Sequence, residues 1–371
     1  VKRLALILVL LLPGVCRAQQ NVFDQLIERF VRPKAAVGGG ALHLFYLRKS
    51  NPQDPPESRY RSYTVDGGWC ETEVVFGGAH RAVAIVNDTM VVFRADNYSI
   101  YRKGEWQRTP DWPFEWAPAA ACAVGKSVWV FGCETAEEEH RLRAAQLRVD
   151  DEAAWGRPEV IEAPLAVPER AADLDAIVLD GRTLVFWHQP TKSGNAVWMA
   201  PFDGTAWGEA AEVAVGYENS DFIVAAHEDA AWLFCRERGK RLTEKRPLLG
   251  MVRKGDAWSE PTPVADARDS WLDFTFDLEA VSYEGTLYLF QASMSHLTLH
   301  RWRDGRWQES EEIFEPPAWV VYRTWWLLLN VAACLCLLPL VVVAAFRGRN
   351  QGRTVQLLTG RTAPTATWAG G

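Results

Sequence analysis

The stretch AIVLDGRTLVFWHQPTKSGNAVWMAPFDGTAWGEAAEVAV, residues 176–215, holds four short runs of β-branched and aromatic residues separated by turn signals. Ala176 to Leu179 meets Asp180-Gly181, and Thr183 to Trp187 follows. A polar loop leads to Ala196 to Met199, Asp203-Gly204 precedes Trp207, and Glu212 to Val215 ends the unit. Asp-Gly between two such runs signals a two-residue hairpin. The unit reads as a meander of four strands, A to D.

On either side of this stretch its tryptophan returns, at Trp69, Trp106, Trp155, Trp207, Trp258 and Trp307, with spacings of 37, 49, 52, 51 and 49 residues. Gly67, Gly104, Gly204, Gly255 and Gly305 each stand two or three positions upstream. The last unit repeats the order clearly: Leu278 to Tyr283, Glu284-Gly285, Thr286 to Phe290, Leu297 to Trp302, Asp304-Gly305, Trp307. A period near fifty implies repeats that stack on one another, and four antiparallel strands per repeat exclude helical arrays. Six repeats predict an all-β, six-bladed β-propeller over 41–314, strand A innermost. The recurring indole is expected to pack between neighbouring blades.

One repeat carries a more specific likeness. Gly125-Lys126-Ser127-Val128-Trp129-Val130-Phe131-Gly132, then Leu147-Arg148-Val149-Asp150, then Trp155 and Pro158, resembles the kelch-like, galactose-oxidase-like propellers. In that family an apolar strand ends in a glycine doublet and a tryptophan opens the fourth strand; here Cys133 follows Gly132. The resemblance implies the propeller fold and transfers no copper ligands, because no Tyr, His or Cys matches a motif for them. Thr64-Val65-Asp66-Gly67-Gly68-Trp69 looks like a degenerate Asp-box of the sialidases, a structural turn, and so bears on fold.

Both ends of the chain differ from the repeats. Lys2-Arg3, an apolar run from Leu4 to Val15 and Cys16-Arg17-Ala18 read as a secretory signal peptide, 1–18. Residues 19–40 form a lead-in with Val22, Phe23, Leu26, Ile27, Phe30 and Val31 at helical spacing. After a juxtamembrane linker, 315–323, residues 324–346 run without a charge, long enough to span a bilayer. Trp325 and Trp326 edge the span, and Arg347, Arg349 and Arg353 open a tail, 347–371, placing the tail in the cytoplasm and the repeats outside. The expected topology is a single-pass cell-membrane protein with an extracytoplasmic propeller; a chain continuing past Gly371 would add a cytoplasmic part.

Little chemistry is legible. Seven His are scattered and none stands in a zinc motif; His296 and His300 alone would share a strand face. Cys70, Cys122, Cys133 and Cys235 would remain outside the membrane, read as buried free thiols, with Cys122 opposite Trp129 in its hairpin. Nucleophile elbows and phosphate or dinucleotide loops are absent, so no cofactor, metal or catalytic residue is assigned. A net charge of −7 gives no support to nucleic-acid binding.

Topology places binding more usefully. In a meander the A to B and C to D turns lie on one face of the ring, the B to C and D to A connections on the other. The first set is short and glycine-bearing; the second is long and variable, where function concentrates on a rigid scaffold. The expected binding residues on that variable face are Trp112, Trp116, Tyr217, Arg236, Arg238, Arg268, Asp269 and Trp271. Aromatics and arginines suit a protein or glycan partner, and the competing reading is that Trp112, Trp116 and Trp271 plug the ring between blades. The chain thus reads as a membrane-anchored binding module for a neighbouring membrane protein or surface glycan. Alternatives are the ectodomain of a sensor or scaffold, and a surface glycoside hydrolase or lyase. The last would be favoured by a carboxylate cluster of raised pKa at the ring mouth.

Overall fold

A computed structural model describes residues 33–314, apart from 49–56, 71–72, 137–138, 150–153, 156–173, 192–193, 238–247, 266–276 and 293–296. Every element is a strand, and the strands form six antiparallel blades. Blade one holds β1 (Lys34–Gly38), β2 (Ala41–Arg48), β3 (Glu57–Thr64), β4 (Gly68–Trp69) and β5 (Glu73–Gly77). Blade two holds β6 (His80–Val86), β7 (Thr89–Arg94), β8 (Asn97–Arg102) and β9 (Glu105–Asp111). Blade three holds β10 (Ala117–Val124), β11 (Ser127–Ala136), β12 (Glu139–Arg148) and β13 (Ala154–Trp155).

Blade four holds β14 (Leu174–Leu179), β15 (Arg182–Thr191), β16 (Gly194–Phe202) and the first part of β17 (Ala211–His227). The same long strand supplies the inner strand of blade five, followed by β18 (Ala230–Glu237), β19 (Leu248–Lys254), β20 (Ala257–Trp258) and β21 (Thr262–Ala265). Blade six holds β22 (Asp277–Tyr283), β23 (Thr286–Ala292), β24 (Leu297–Arg303), β25 (Arg306–Trp307) and β26 (Glu311–Phe314). The six-bladed reading is therefore shown. Its first strand, however, begins at Lys34, inside what reads as the lead-in 19–40, because Gly39 (φ 56°) and Gly40 (φ 71°) make the blade's own A to B turn.

The turns confirm why these residues hairpin. Left-handed φ at Asn87 and Asp88, at Asp180 and Gly181, and at Glu284 and Gly285 gives tight loops whose twist matches the strands. Each blade's second strand carries a phenylalanine at the same register: Phe45, Phe93, Phe131, Phe186, Phe234 and Phe290, all fully buried. Buried on both faces between adjacent blades, these strands are continuous apolar runs rather than alternating ones.

The recurring tryptophan meets that phenylalanine across five of the boundaries. Phe45 with Trp106, Phe131 with Trp207, Phe186 with Trp258, Phe234 with Trp307 and Phe290 with Trp69 all pack edge to face at 5.8 to 6.3 Å. Each pair takes Phe from one blade and Trp from the next, so the period read in the sequence is a packing period. The quadrupoles of two rings favour this geometry by about 1 kcal/mol beyond burial. A second pair sits beside it. Trp129 faces Phe202, Trp232 faces Trp302 and Tyr288 faces Tyr63, whereas the corresponding positions between blades four and five are Leu184 and Arg253.

Blade one is built wholly from the start of the described chain and blade six wholly from its end. Among the described residues no strand is exchanged at the closure. Side chains among the described residues join the two.

Candidate functional site

Six inner strands converge on the axis, and the residues facing it are small: Ala35, Ala36, Ala82, Ala84, Ala120 and Ala280 among them. They leave a channel of about 370 Å³. Lys34 is the first residue of β1, Asp175 the second of β14 and Glu279 the third of β22, so their backbones lie at the same end of the channel. That end is where the D to A connections enter, on the variable face.

Lys34 Nζ donates to Glu279 Oε2 at 2.9 Å across the closure. Asp175 Oδ1 accepts from the Ala176 amide and Oδ2 from the Val224 amide, both at 2.8 Å, the second bond crossing from blade four to blade five. Burial pushes Glu279 up to about 7 despite the neighbouring ammonium, and Asp175 adds repulsion. Burial likewise raises Asp175 against the pull of Lys34 and the two amides. For Lys34 burial works the other way, but Glu279, Asp175 and Asp277 outweigh it and hold the ammonium above its ordinary value.

This is a carboxylate cluster of raised pKa at the ring mouth, the arrangement that would favour hydrolysis. Its bonding points elsewhere. Both oxygens of Asp175 are taken by backbone amides and Glu279 holds Lys34, so neither is an acid or base directed at a substrate. The groups clamp blade to blade. No catalytic site is identifiable among the described residues. The sequence signal for the cluster was weak, since three residues far apart in the chain meet only because their strands share an axis.

The residues expected to bind fall into three groups. Trp112 and Trp116 are buried, 8% and 4% exposed, in the core between blades two and three. Trp112 packs edge-on to Phe93 at 5.9 Å and donates Nε1–H to the Trp116 carbonyl, while Phe114 stacks on Trp116 at 5.2 Å. A methyl at Gly132 would overlap the Trp116 ring, which is why this strand carries glycine there. The reading of these two indoles as ligand contacts is corrected: they plug the boundary between blades.

Tyr217 and Arg236 lie on strands. The Tyr217 backbone pairs with Asn195 in blade four and Glu237 in blade five, at the crossing between blades. The Arg236 backbone pairs with Leu248. Arg238, Arg268, Asp269 and Trp271 lie outside the described residues, as do the expected signal peptide 1–18, the helical spacing read at 22–31, His296 and the stretch 324–346. No helix among the described residues is long and apolar enough to cross a membrane.

His300 is committed locally: its Nε2 contacts Gln291 Oε1 and its Nδ1 Ser310 Oγ, both at 2.9 Å, and burial lowers it to about 4. Among the described residues no three His, Cys, Asp or Glu gather as a metal site. Cys70, Cys122, Cys133 and Cys235 form no disulfide among the described residues, and Cys122 pairs with Trp129 in register. Cys122 and Cys235 are buried, and burial lifts both thiols to about 12. Cys70, expected to be buried, is exposed, its sulfur accepting from the Ser62 amide at 2.9 Å.

No protein-family model matches the chain, and no curated protein matches it. Among solved structures it is similar to the Trypanosoma rangeli sialidase in complex with the inhibitor DANA, at 11% identity and a TM-score of 0.54, over 75% of this chain and 56% of that one. The same sialidase as a covalent intermediate with 2,3-difluorosialic acid matches at 10% identity and a TM-score of 0.50, over 76% and 53%. An acylaminoacyl peptidase matches at 11% identity and a TM-score of 0.44, over 78% and 47%. The chain spans about half the length of these proteins. At such identities the likeness shows the fold alone: a six-bladed β-propeller, without a kelch-like or galactose-oxidase-like assignment.

Proposed function

We propose that this propeller is an extracytoplasmic binding module, anchored in the membrane by residues 324–346, that engages a neighbouring membrane protein or surface glycan. The observation that supports it is the asymmetry of the two faces. One face is made of tight turns set by left-handed residues; the other receives the long connections between 155 and 174, 237 and 248, and 265 and 277. Variable loops on a rigid ring are where recognition residues concentrate. With Trp112 and Trp116 in the core, the recognition residues are Tyr217, Arg236, Arg238, Arg268, Asp269 and Trp271.

The test displays the full chain on cells and measures binding to an array of surface glycans and to membrane-protein ectodomains. Charge reversal at Arg236, Arg238 and Arg268 is expected to weaken the best binder at least ~10-fold, the scale of an interfacial arginine hot spot. Asp180→Asn in the turn face is the control. Equal loss in both variants, or in neither, would refute the assignment of the face.

A further inference from the structure

Blades five and six leave a cleft of about 740 Å³ on the turn face, opposite the long connections. Trp232 comes from β18, Trp258 from β20, Trp302 from β24 and Trp307 from β25, so four indoles line one cavity. Trp232, Trp302 and Trp307 brace one another at 5.1 to 6.3 Å, and Trp258 is backed by Phe186 from blade four. The wall is therefore rigid before anything binds. Glu228 and Asp304 stand at the rim on turn residues with φ 54° each, Lys254 lines the cleft beside them, and the Asp304 side chain, 83% exposed, pairs with Arg303 Nε at 3.8 Å.

The cleft between blades six and one occupies the same place one blade on, with a volume of about 880 Å³. There the wall is Tyr63 and Tyr288 with Arg301 and Arg303, so the two neighbours differ in chemistry while sharing geometry. The first sets four indoles beside Glu228, Asp304 and Lys254; the second sets tyrosine hydroxyls and guanidinium groups beside Asp66 and Glu284.

We infer that the cleft between blades five and six binds the end of a neutral oligosaccharide. A pyranose ring has an apolar face of C–H groups and a rim of hydroxyls. Indole faces match the first, and carboxylates accept hydrogen bonds from the second. The volume lies within the ~300–1,000 Å³ usual for small-ligand sites. Glu228 and Asp304 are set against Lys254, and Asp304 is paired with Arg303, so the rim carries no excess positive charge to hold phosphate, sulfate or uronate and supplies acceptors and a donor for hydroxyls. A lipid chain would gain nothing from the charged rim.

This site is on the face opposite the long connections, so it stands or falls separately from the binding proposed there. The experiment titrates the full chain in detergent with cellohexaose, mannohexaose and chitohexaose, reading tryptophan emission and heat, with an oligogalacturonate as the acidic comparison. One neutral oligosaccharide is expected to bind and shift the emission, and the acidic one is not. Glu228→Gln combined with Asp304→Asn keeps the turns and is expected to weaken binding at least ~10-fold, while Asp66→Asn in the neighbouring cleft leaves it unchanged, each tenfold being about 1.4 kcal/mol. Binding of none of the three, equal affinity in the double variant, or loss on Asp66→Asn would overturn the inference.

Discussion

The boundary between blades three and four and the boundary between blades six and one are built on the same aromatic contacts but closed by different means. Phe131 meets Trp207 at 5.9 Å in the first, Phe290 meets Trp69 at 6.3 Å in the second. Blades three and four follow each other in the chain, whereas the second boundary joins the two ends of the ring with no strand shared among the described residues. There directed polar contacts are added: Lys34 to Glu279, the Tyr283 hydroxyl donating to the Gly40 carbonyl at 2.7 Å, and Arg61 Nη1 donating to the Ile313 carbonyl at 3.1 Å. Closing a loop the length of the ring rather than of one connection costs roughly 2 kcal/mol more in chain entropy. Two or three net hydrogen bonds of about 1 kcal/mol each are the right size to offset it.

The largest expected effect breaks this comparison directly. Phe131→Ala and Phe290→Ala each empty a fully buried site and are expected to cost about 3–5 kcal/mol. In urea, Phe131→Ala should lower the midpoint with the slope kept. Phe290→Ala should also broaden the transition, because the ring opens at the closure before the blades unfold. Identical slopes for the two variants would show that the closing boundary is no weaker than the rest.

Next in size is the clamp on the axis. Lys34→Met leaves Glu279 without its cation and is expected to cost about 2 kcal/mol, less than a fully buried pair because water reaches part of the lysine side chain. Lys34→Met with Glu279→Leu should recover much of the loss, since no unpaired charge remains. Calorimetry of the single and double variants checks this; a double variant as unstable as the single would remove the electrostatic account.

The pH dependence sharpens the contrast between the axis and a blade interior. Glu279 titrates near 7 in the folded ring, above its ordinary 4.5, so the unfolded chain loses its proton first. Stability from this group falls as pH rises from about 4.5 to 7. His300, lowered from 6.5 to about 4, does the reverse: its contribution falls as pH drops from 6.5 to 4. The two slopes oppose each other in the native protein. Glu279→Gln should unmask a protein that loses stability on acidification below 6.5, and His300→Asn one that gains it. Denaturant midpoints between pH 4 and 7.5 separate the cases, and unchanged profiles in both variants would contradict the assignment.

Thiol labelling is the smallest effect and the finest probe. Cys70 should react with a maleimide at once. Cys122, in the core shared by blades three and four, should react only on opening of that boundary. In Lys34→Met, Cys122 is expected to stay protected while the closure loosens; rapid labelling there would mean that the ring opens as a whole.

Much of this architecture was legible because it repeats. Trp207 and its five counterparts mark the start of each fourth strand, and Asp180-Gly181 marks a hairpin whose residues tolerate left-handed φ; both are local requirements of the chain. The phenylalanine series from Phe45 to Phe290 was equally available, one to three residues before each second strand turns polar, and goes unnoticed beside the tryptophans. Trp112 and Trp116 were misplaced because a loop aromatic reads the same whether it faces solvent or folds back onto Phe93.

By itself, then, the sequence determined the number of blades, their strand order and the partition into a uniform and a variable face, because period, turn chemistry and apolar runs act over a few residues. Only the tertiary structure decided that Lys34, Asp175 and Glu279 meet on the axis, that blades one and six meet without a strand exchanged among the described residues, and that four tryptophans from two blades wall a single cleft. These depend on which strands become neighbours across distances of tens to hundreds of residues. Burial and charge take effect only once those neighbours are in place.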